Sequence, residues 1–193
     1  EYEKVYNQKI NQSLNIIPSR IWRDTKGIRQ FISMFSNRFS YSMNRKFERS
    51  IDITSVHIPD SGILAMNNTL KNDLQFNIKR TKTKLNYIRT VNKSKQLLTN
   101  GIDGRTGNVQ AFKIQQKLNS FILAESYTSG LKTLDSEFFT MNNYEIEYLE
   151  NKTELKYLLN QKNEASVNFI YSKKKNNFGE ENLESYAGGF DYN

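Results

Sequence analysis

The chain has no cysteine, which excludes disulfides, thiol nucleophiles, iron–sulfur clusters and cysteine-type zinc sites together. Its one histidine, His57, would have to carry any Ser-His-Asp arrangement or histidine metal site alone. It stands at an element boundary before Ile58-Pro59, where a structural or exposed imidazole is ordinary. Only two prolines and nine glycines occur in 193 residues, a scarcity of turn formers that favours helices over a turn-rich β-sandwich. No uninterrupted apolar run approaches the ~20 residues that a membrane-spanning helix requires. No internal repeat is present, and no constellation of side chains names a reaction. The expectation is therefore a protein that is not an enzyme, with no catalytic residues, no cofactor, no metal and no small-molecule substrate.

What is present is charge, unevenly divided. Residues 1–124 carry 12 Lys and 9 Arg against 8 acidic residues, a formal +13, whereas residues 125–193 carry 7 Lys against 12 acidic residues, a formal −5, and the two sum to the overall +8. A basic body joined to an acidic part suggests contact with polyanions or acidic surfaces through the first segment. Together with the many Lys, Ile, Tyr and Phe, the 24 asparagines are the composition expected of an AT-rich genome. The chain divides into a basic helical body over 1–124, a small α+β segment packed on it over 125–172, and a flexible acidic and aromatic tail over 173–193.

Spacing of the apolar residues predicts a mainly α fold with a small α+β C-terminal part: long amphipathic helices, a short two- or three-stranded sheet and a flexible tail. A short helix and a turn at Pro18 fill residues 1–24. A helix from Thr25 aligns Ile28, Phe31, Ile32, Phe35, Phe39 and Met43 on one face, and residues 50–58 read as a short strand or extended linker. From the Asp60-Ser61 cap to about Thr99, Ile63, Met66, Leu70, Leu74, Ile78, Leu85 and Ile88 share a helical stripe, making one long helix of about 57 Å. The segment from Asn100 to Gly107 is the strongest loop, followed by a buried helix from Asn108 to about Glu125. Tyr144, Ile146 and Tyr148 alternate with Glu145 and Glu147, and Val167, Phe169 and Tyr171 with polar residues, so each reads as a strand flanking a helix over 151–161.

Three groups of residues are candidate contacts. On the long helix Lys71, Lys82, Arg89 and Lys93 form a basic flank, with Lys79 beside it, suited to phosphates; Arg20 and Arg23 extend the basic surface. Tyr186, Phe190 and Tyr192 in the tail are aromatic anchors for a partner. Gly101, Gly104 and Gly107 precede a helix but lack the Lys and Ser/Thr of a phosphate loop. Glu145 and Glu147 on one strand face, with Tyr127-Thr128-Ser129 upstream, are similar to part of the ADP-ribosyltransferase pattern. That resemblance covers these residues alone, without an Arg-bearing first strand, and carries no roles over.

These features imply a structural or assembly subunit of a larger macromolecular particle, with a virion connector or capsid-associated component as the setting. Its partners are further copies of itself and other subunits. The alternative is a sequence-independent nucleic-acid-binding protein, a subunit of a ribonucleoprotein. Binding to a membrane surface is not expected, and nothing in the sequence fixes a localisation.

Overall fold

A computed structural model describes residues 5–20, 27–48, 63–98, 101–158 and 163–192. They form one nine-stranded antiparallel sheet in which every strand pairs with its sequence neighbours, in the order β1 to β9. The strands are β1 (Val5–Ile16), β2 (Phe35–Glu48), β3 (Ile63–Ile78), β4 (Thr83–Leu98), β5 (Gly101–Leu118), β6 (Phe121–Ser136), β7 (Tyr144–Leu158), β8 (Glu164–Asn176) and β9 (Asn182–Tyr192). They run to between 11 and 18 residues, two to three times the usual strand length. The one α-helix among the described residues, α1 (Ile28–Ser33), is six residues long. It sets Phe31 against Phe35 and Phe76, with ring centroids 5.2 and 5.5 Å away.

This corrects the mainly α expectation. Within the described residues, the helix expected from Thr25 to Met43 is α1 followed by β2, and the long helix expected from Asp60 to Thr99 is the β3–β4 hairpin. The glycine segment expected to be a loop lies within β5, and the buried helix expected after it is the remainder of β5 and the start of β6. The helix expected over 151–161 is, as far as Leu158, a continuation of β7, and the tail expected to be flexible forms β9. The short helix expected at the N-terminus is β1 and a 3-10 turn at Pro18–Arg20. Tyr144 to Tyr148 lie in β7 and Val167 to Tyr171 in β8. The extended segment expected over 50–58, with His57, lies outside the described residues.

Register explains why the sequence folds this way. One cross-strand row runs through all nine strands: Ile16, Asn37, Leu74, Tyr87, Phe112, Tyr127, Asn151, Tyr171 and Tyr186. Directly paired residues lie on the same face, so seven apolar or aromatic side chains are aligned at once. The row meets the last residue of β1 but only the fifth of the eleven in β9. Strand centres therefore drift by about six residues across the sheet, or roughly 20 Å over eight spacings of about 4.8 Å. That is a stagger of roughly 30°, near the 35–45° tilt of barrel strands.

Among the described residues no second layer covers the sheet. Met43 is the one buried hydrophobic residue among those described, and the chain exposes 14591 Å². A compact protein of 22.6 kDa would expose roughly 9,500 Å² by the usual size scaling. The sheet is also open, since β1 and β9 each pair on one side only. Both are odd-numbered strands of an antiparallel meander and run in the same direction.

At the β9 edge, Lys173 Nζ lies 2.7 Å from Glu184 Oε1, and the Ser172 and Ser185 hydroxyls are 2.7 Å apart. Both members of the ion pair are about two-fifths exposed, so solvent screens most of its attraction. Glu184→Gln is expected to leave overall stability nearly unchanged while speeding amide exchange along β9. Unchanged exchange at Leu183 to Ala187 would show that the pair does not hold the edge.

Candidate functional site

The feature that separates this sheet from an ordinary one is the chemistry of its two faces. Below the row already traced lie three more on the same face: Phe35–Phe76–Leu85–Ile114–Glu125–Thr153–Phe169–Gly188, Ile78–Thr83–Gln116–Leu123–Leu155–Val167–Phe190, and Leu118–Phe121–Tyr157–Ala165–Tyr192. Of the 29 positions in these four rows, 22 are apolar or aromatic and one, Glu125, is charged. The 29 interleaved positions on the opposite face, in the rows from Asn15 to Ser185, Ser36 to Ala187, Asn77 to Gly189 and Lys117 to Asp191, include ten charged residues and six apolar ones.

The apolar rows form a band about 20 Å from first row to last along the strands. Aromatic residues mark both margins. Tyr87, Phe112, Tyr127, Tyr171 and Tyr186 occupy the first row, and Phe121, Tyr157 and Tyr192 the last. The next row beyond the tyrosines changes character on β4 to β9, with Arg89, Gln110, Ser129, Leu149, Lys173 and Glu184. Ring contacts knit the band sideways, with Phe35 and Phe76 4.3 Å apart, Phe121 and Tyr157 4.7 Å, and Tyr171 and Tyr186 5.1 Å.

Within the band the apolar face is the convex one on β6 and β7. Side chains splay apart on the outside of a curved sheet and crowd on the inside. On β6, Phe121, Leu123, Glu125 and Tyr127 are exposed while Ile122, Ala124, Ser126 and Thr128 are half-buried. On β7, Thr153, Leu155 and Tyr157 are exposed while Lys152, Glu154 and Lys156 are half-buried. A curved sheet folded by water would place its leucines inside and its lysines outside. On β6 and β7 the arrangement is the reverse, whereas on β4 and β5 Leu85, Tyr87 and Ile114 are half-buried and Lys84, Lys113 and Lys117 exposed.

The polar face carries most of the net charge. Its described strand side chains include 12 basic residues against 6 acidic ones, whereas the apolar face and its continuation carry 6 against 5. Among the described residues the ion pairs on the polar face all involve Lys156, which lies 3.5 Å from both Glu154 and Glu164.

The residues singled out in the sequence are dispersed by this geometry. Lys71 lies on the polar face of β3, whereas Arg89 and Lys93 lie on the opposite face of β4. Lys79 and Lys82 sit in the β3–β4 turn, where Lys82 has a φ of 53°. Arg20 ends the 3-10 turn, and Arg23 lies outside the described residues. The expected helical stripe of Lys71, Lys82, Arg89 and Lys93 therefore does not exist as one line. Tyr186, Phe190 and Tyr192 share the apolar face of β9 and are each more than 60% exposed. The side chains of Glu145 and Glu147 both accept hydrogen bonds from Asn177 Nδ2, at 2.8 and 3.1 Å. Lys84 and Lys117 went unmarked in the sequence although they lie on the polar face beside Lys79 and Lys82. The alternation of Lys82-Thr83-Lys84 was the available signal for the first; nothing local signals the second.

Among the described residues no group of three or more acidic or histidine side chains could hold a metal ion, and no helix is long and apolar enough to cross a membrane. No family model, curated protein or solved structure matches the chain, and nothing in the sheet supports the virion setting or a nucleic-acid grip.

Proposed function

We propose that this chain is a structural element of a membrane-embedded assembly, a stretch of antiparallel β-barrel wall whose convex face meets lipid and whose concave face is wet. The observation that carries the reading is the apolar band itself, 22 apolar positions of 29 with a single charge, backed by a face with ten charges and convex on β6 and β7. Strands that cross a bilayer alternate apolar-out and polar-in, tilt by 35–45°, and carry aromatic girdles at both margins of an apolar band about 25 Å tall. The stagger, the tyrosine row and the Phe121–Tyr157–Tyr192 row supply the counterparts here. Backbone groups inside a bilayer must all be paired, so the open β1 and β9 edges require cover, either from each other in a parallel pairing or from further strands. Assembly is thus part of the reading, and chemistry at a reactive centre is not.

Because the chain has no cysteine, single cysteines can be introduced one at a time without background. Fluorophores on Leu123→Cys, Glu125→Cys and Tyr127→Cys are expected to be quenched by brominated lipid in vesicles. The same label on Ala124→Cys, Ser126→Cys and Thr128→Cys is expected to respond to an aqueous quencher instead, giving a period of two. Flotation of vesicles without the protein, or burial of the odd-numbered set in a lipid-free oligomer, would overturn the proposal.

A further inference from the structure

At the end of the polar face where β3 turns into β4, a hollow of about 340 Å³ is lined by Lys79, Lys82, Lys84 and Lys117, with Asn77 and Gln115 between them. The same turn carries Arg80, and no acidic residue lines the hollow. Its geometry follows from the backbone. Lys84 pairs with Asn77 on one side and Gln115 on the other. Lys117 N donates to Lys82 O at 3.2 Å, drawing β5 against the turn. The Thr81 and Thr83 hydroxyls are joined at 2.8 Å, which pins the tip.

We infer that this hollow is a binding site for a small multivalent oxyanion, a phosphate or a phosphorylated group. Four exposed lysines that line one hollow without a carboxylate concentrate positive charge there, which favours an anion with several charges in one compact body. Each ammonium offers three hydrogen-bond donors and the two amides add neutral ones, which matches the many acceptors of a phosphate. The volume lies at the lower end of the range of small-ligand sites. On the polar face the row of Lys84 reaches an acidic residue only at Glu154 on β7, beyond Gln115 and Ala124, and that carboxylate is engaged by Lys156 at 3.5 Å. The inference depends on the lysines around this turn, although Ile78 and Thr83 also line the hollow, and it goes beyond the question of what covers the apolar face.

The test is isothermal titration of the full chain, folded in a non-ionic detergent, with inorganic pyrophosphate at about 0.1 M salt, where charges farther apart than about 10 Å are screened. Saturable binding is expected, weakened about five- to thirtyfold in the Lys84→Gln/Lys117→Gln double variant, as befits the loss of two partly exposed charge contacts. The Lys84→Arg/Lys117→Arg variant should bind, and Lys174→Gln, on the same face but far along β8, should bind as the parent does. If phosphatidic acid added to the micelles displaces the pyrophosphate, the natural oxyanion is a lipid headgroup; if it does not, the ligand is a soluble phosphate. Absence of binding by the folded parent would overturn the site. So would an equal loss in Lys174→Gln, which would mark a diffuse charge effect.

Discussion

Leu123→Arg is expected to destabilise the lipid-folded chain by about 2–4 kcal/mol, the cost of a guanidinium near the middle of a bilayer on the outer face of a barrel. Ala124→Arg, one residue along, is expected to cost less than about 1 kcal/mol, because the concave face is wet and already holds Lys117, Lys152 and Lys156 nearby. The contrast rests on neighbours. Leu123 lies between Gln116 and Leu155 in a row that continues to Val167 and Phe190, and it is 43% exposed on the convex side. Ala124 lies between Gln115 and Glu154 and is half-buried on the concave side. Both substitutions place the same guanidinium on the same strand, and Leu123→Ala, measured beside them, accounts for the leucine that only the first removes. Denaturant midpoints measured in vesicles give the difference directly. Equal costs at the two positions would mean that lipid does not cover the convex face, whatever the absolute values. The same logic makes Glu125→Leu a stabilising change, since Glu125 is the one charge in the band, paired with Ile114 and Thr153.

The α reading of this sequence failed for a reason visible in particular residues. Met66, Leu70, Leu74 and Ile78 are spaced by four. Four residues are 400° on a helix, 40° from eclipsed, and two full periods on a strand, so the spacing satisfies both. Phe31, Phe35, Phe39 and Met43 have the same ambiguity, resolved differently along their length: Phe31 is in α1, and the other three share one face of β2. What separates the two periods is the residue between. Leu64 and Phe76 are also even-numbered, and Asn68 and Asn72, which a helix would turn aside, lie on the same strand face as the leucines. The turns gave little warning either. Chain reversal occurs at Lys79-Arg80-Thr81-Lys82 and at Asn119-Ser120, with Lys82 and Asn119 taking positive φ of 53° and 50° in place of glycine. Where alternation was strict, as in Tyr144 to Tyr148, the strand was legible. The candidate anion hollow was half legible. Lys79 and Lys82 stand out as local charge, but Lys117 reaches them only through the β4–β5 register, which no short window of sequence contains.

Gly130→Ala is expected to destabilise the sheet by about 1–3 kcal/mol, through crowding in a place that looks open in sequence. Gly130 and Tyr148 are direct cross-strand partners of β6 and β7 on the concave face, and the tyrosine ring lies back over the glycine. A methyl group added to Gly130 would lie 2.6 Å from both Cζ and Oη of Tyr148, well inside contact distance. Lys132 Nζ also lies over the ring, 5.1 Å from its centroid, within the range of a cation–π contact. An aromatic side chain folded over a cross-strand glycine covers the backbone that the missing side chain leaves bare. The added methyl must therefore displace the ring, uncover that backbone and separate the lysine from its π face in one step. A second substitution isolates the cause. In a Tyr148→Ser background the ring is absent, and Gly130→Ala is expected to be neutral or mildly stabilising, since alanine restricts the unfolded chain more than glycine does. A double-mutant cycle that shows no coupling between the two positions would place the cost in the backbone of β6 instead of in the ring.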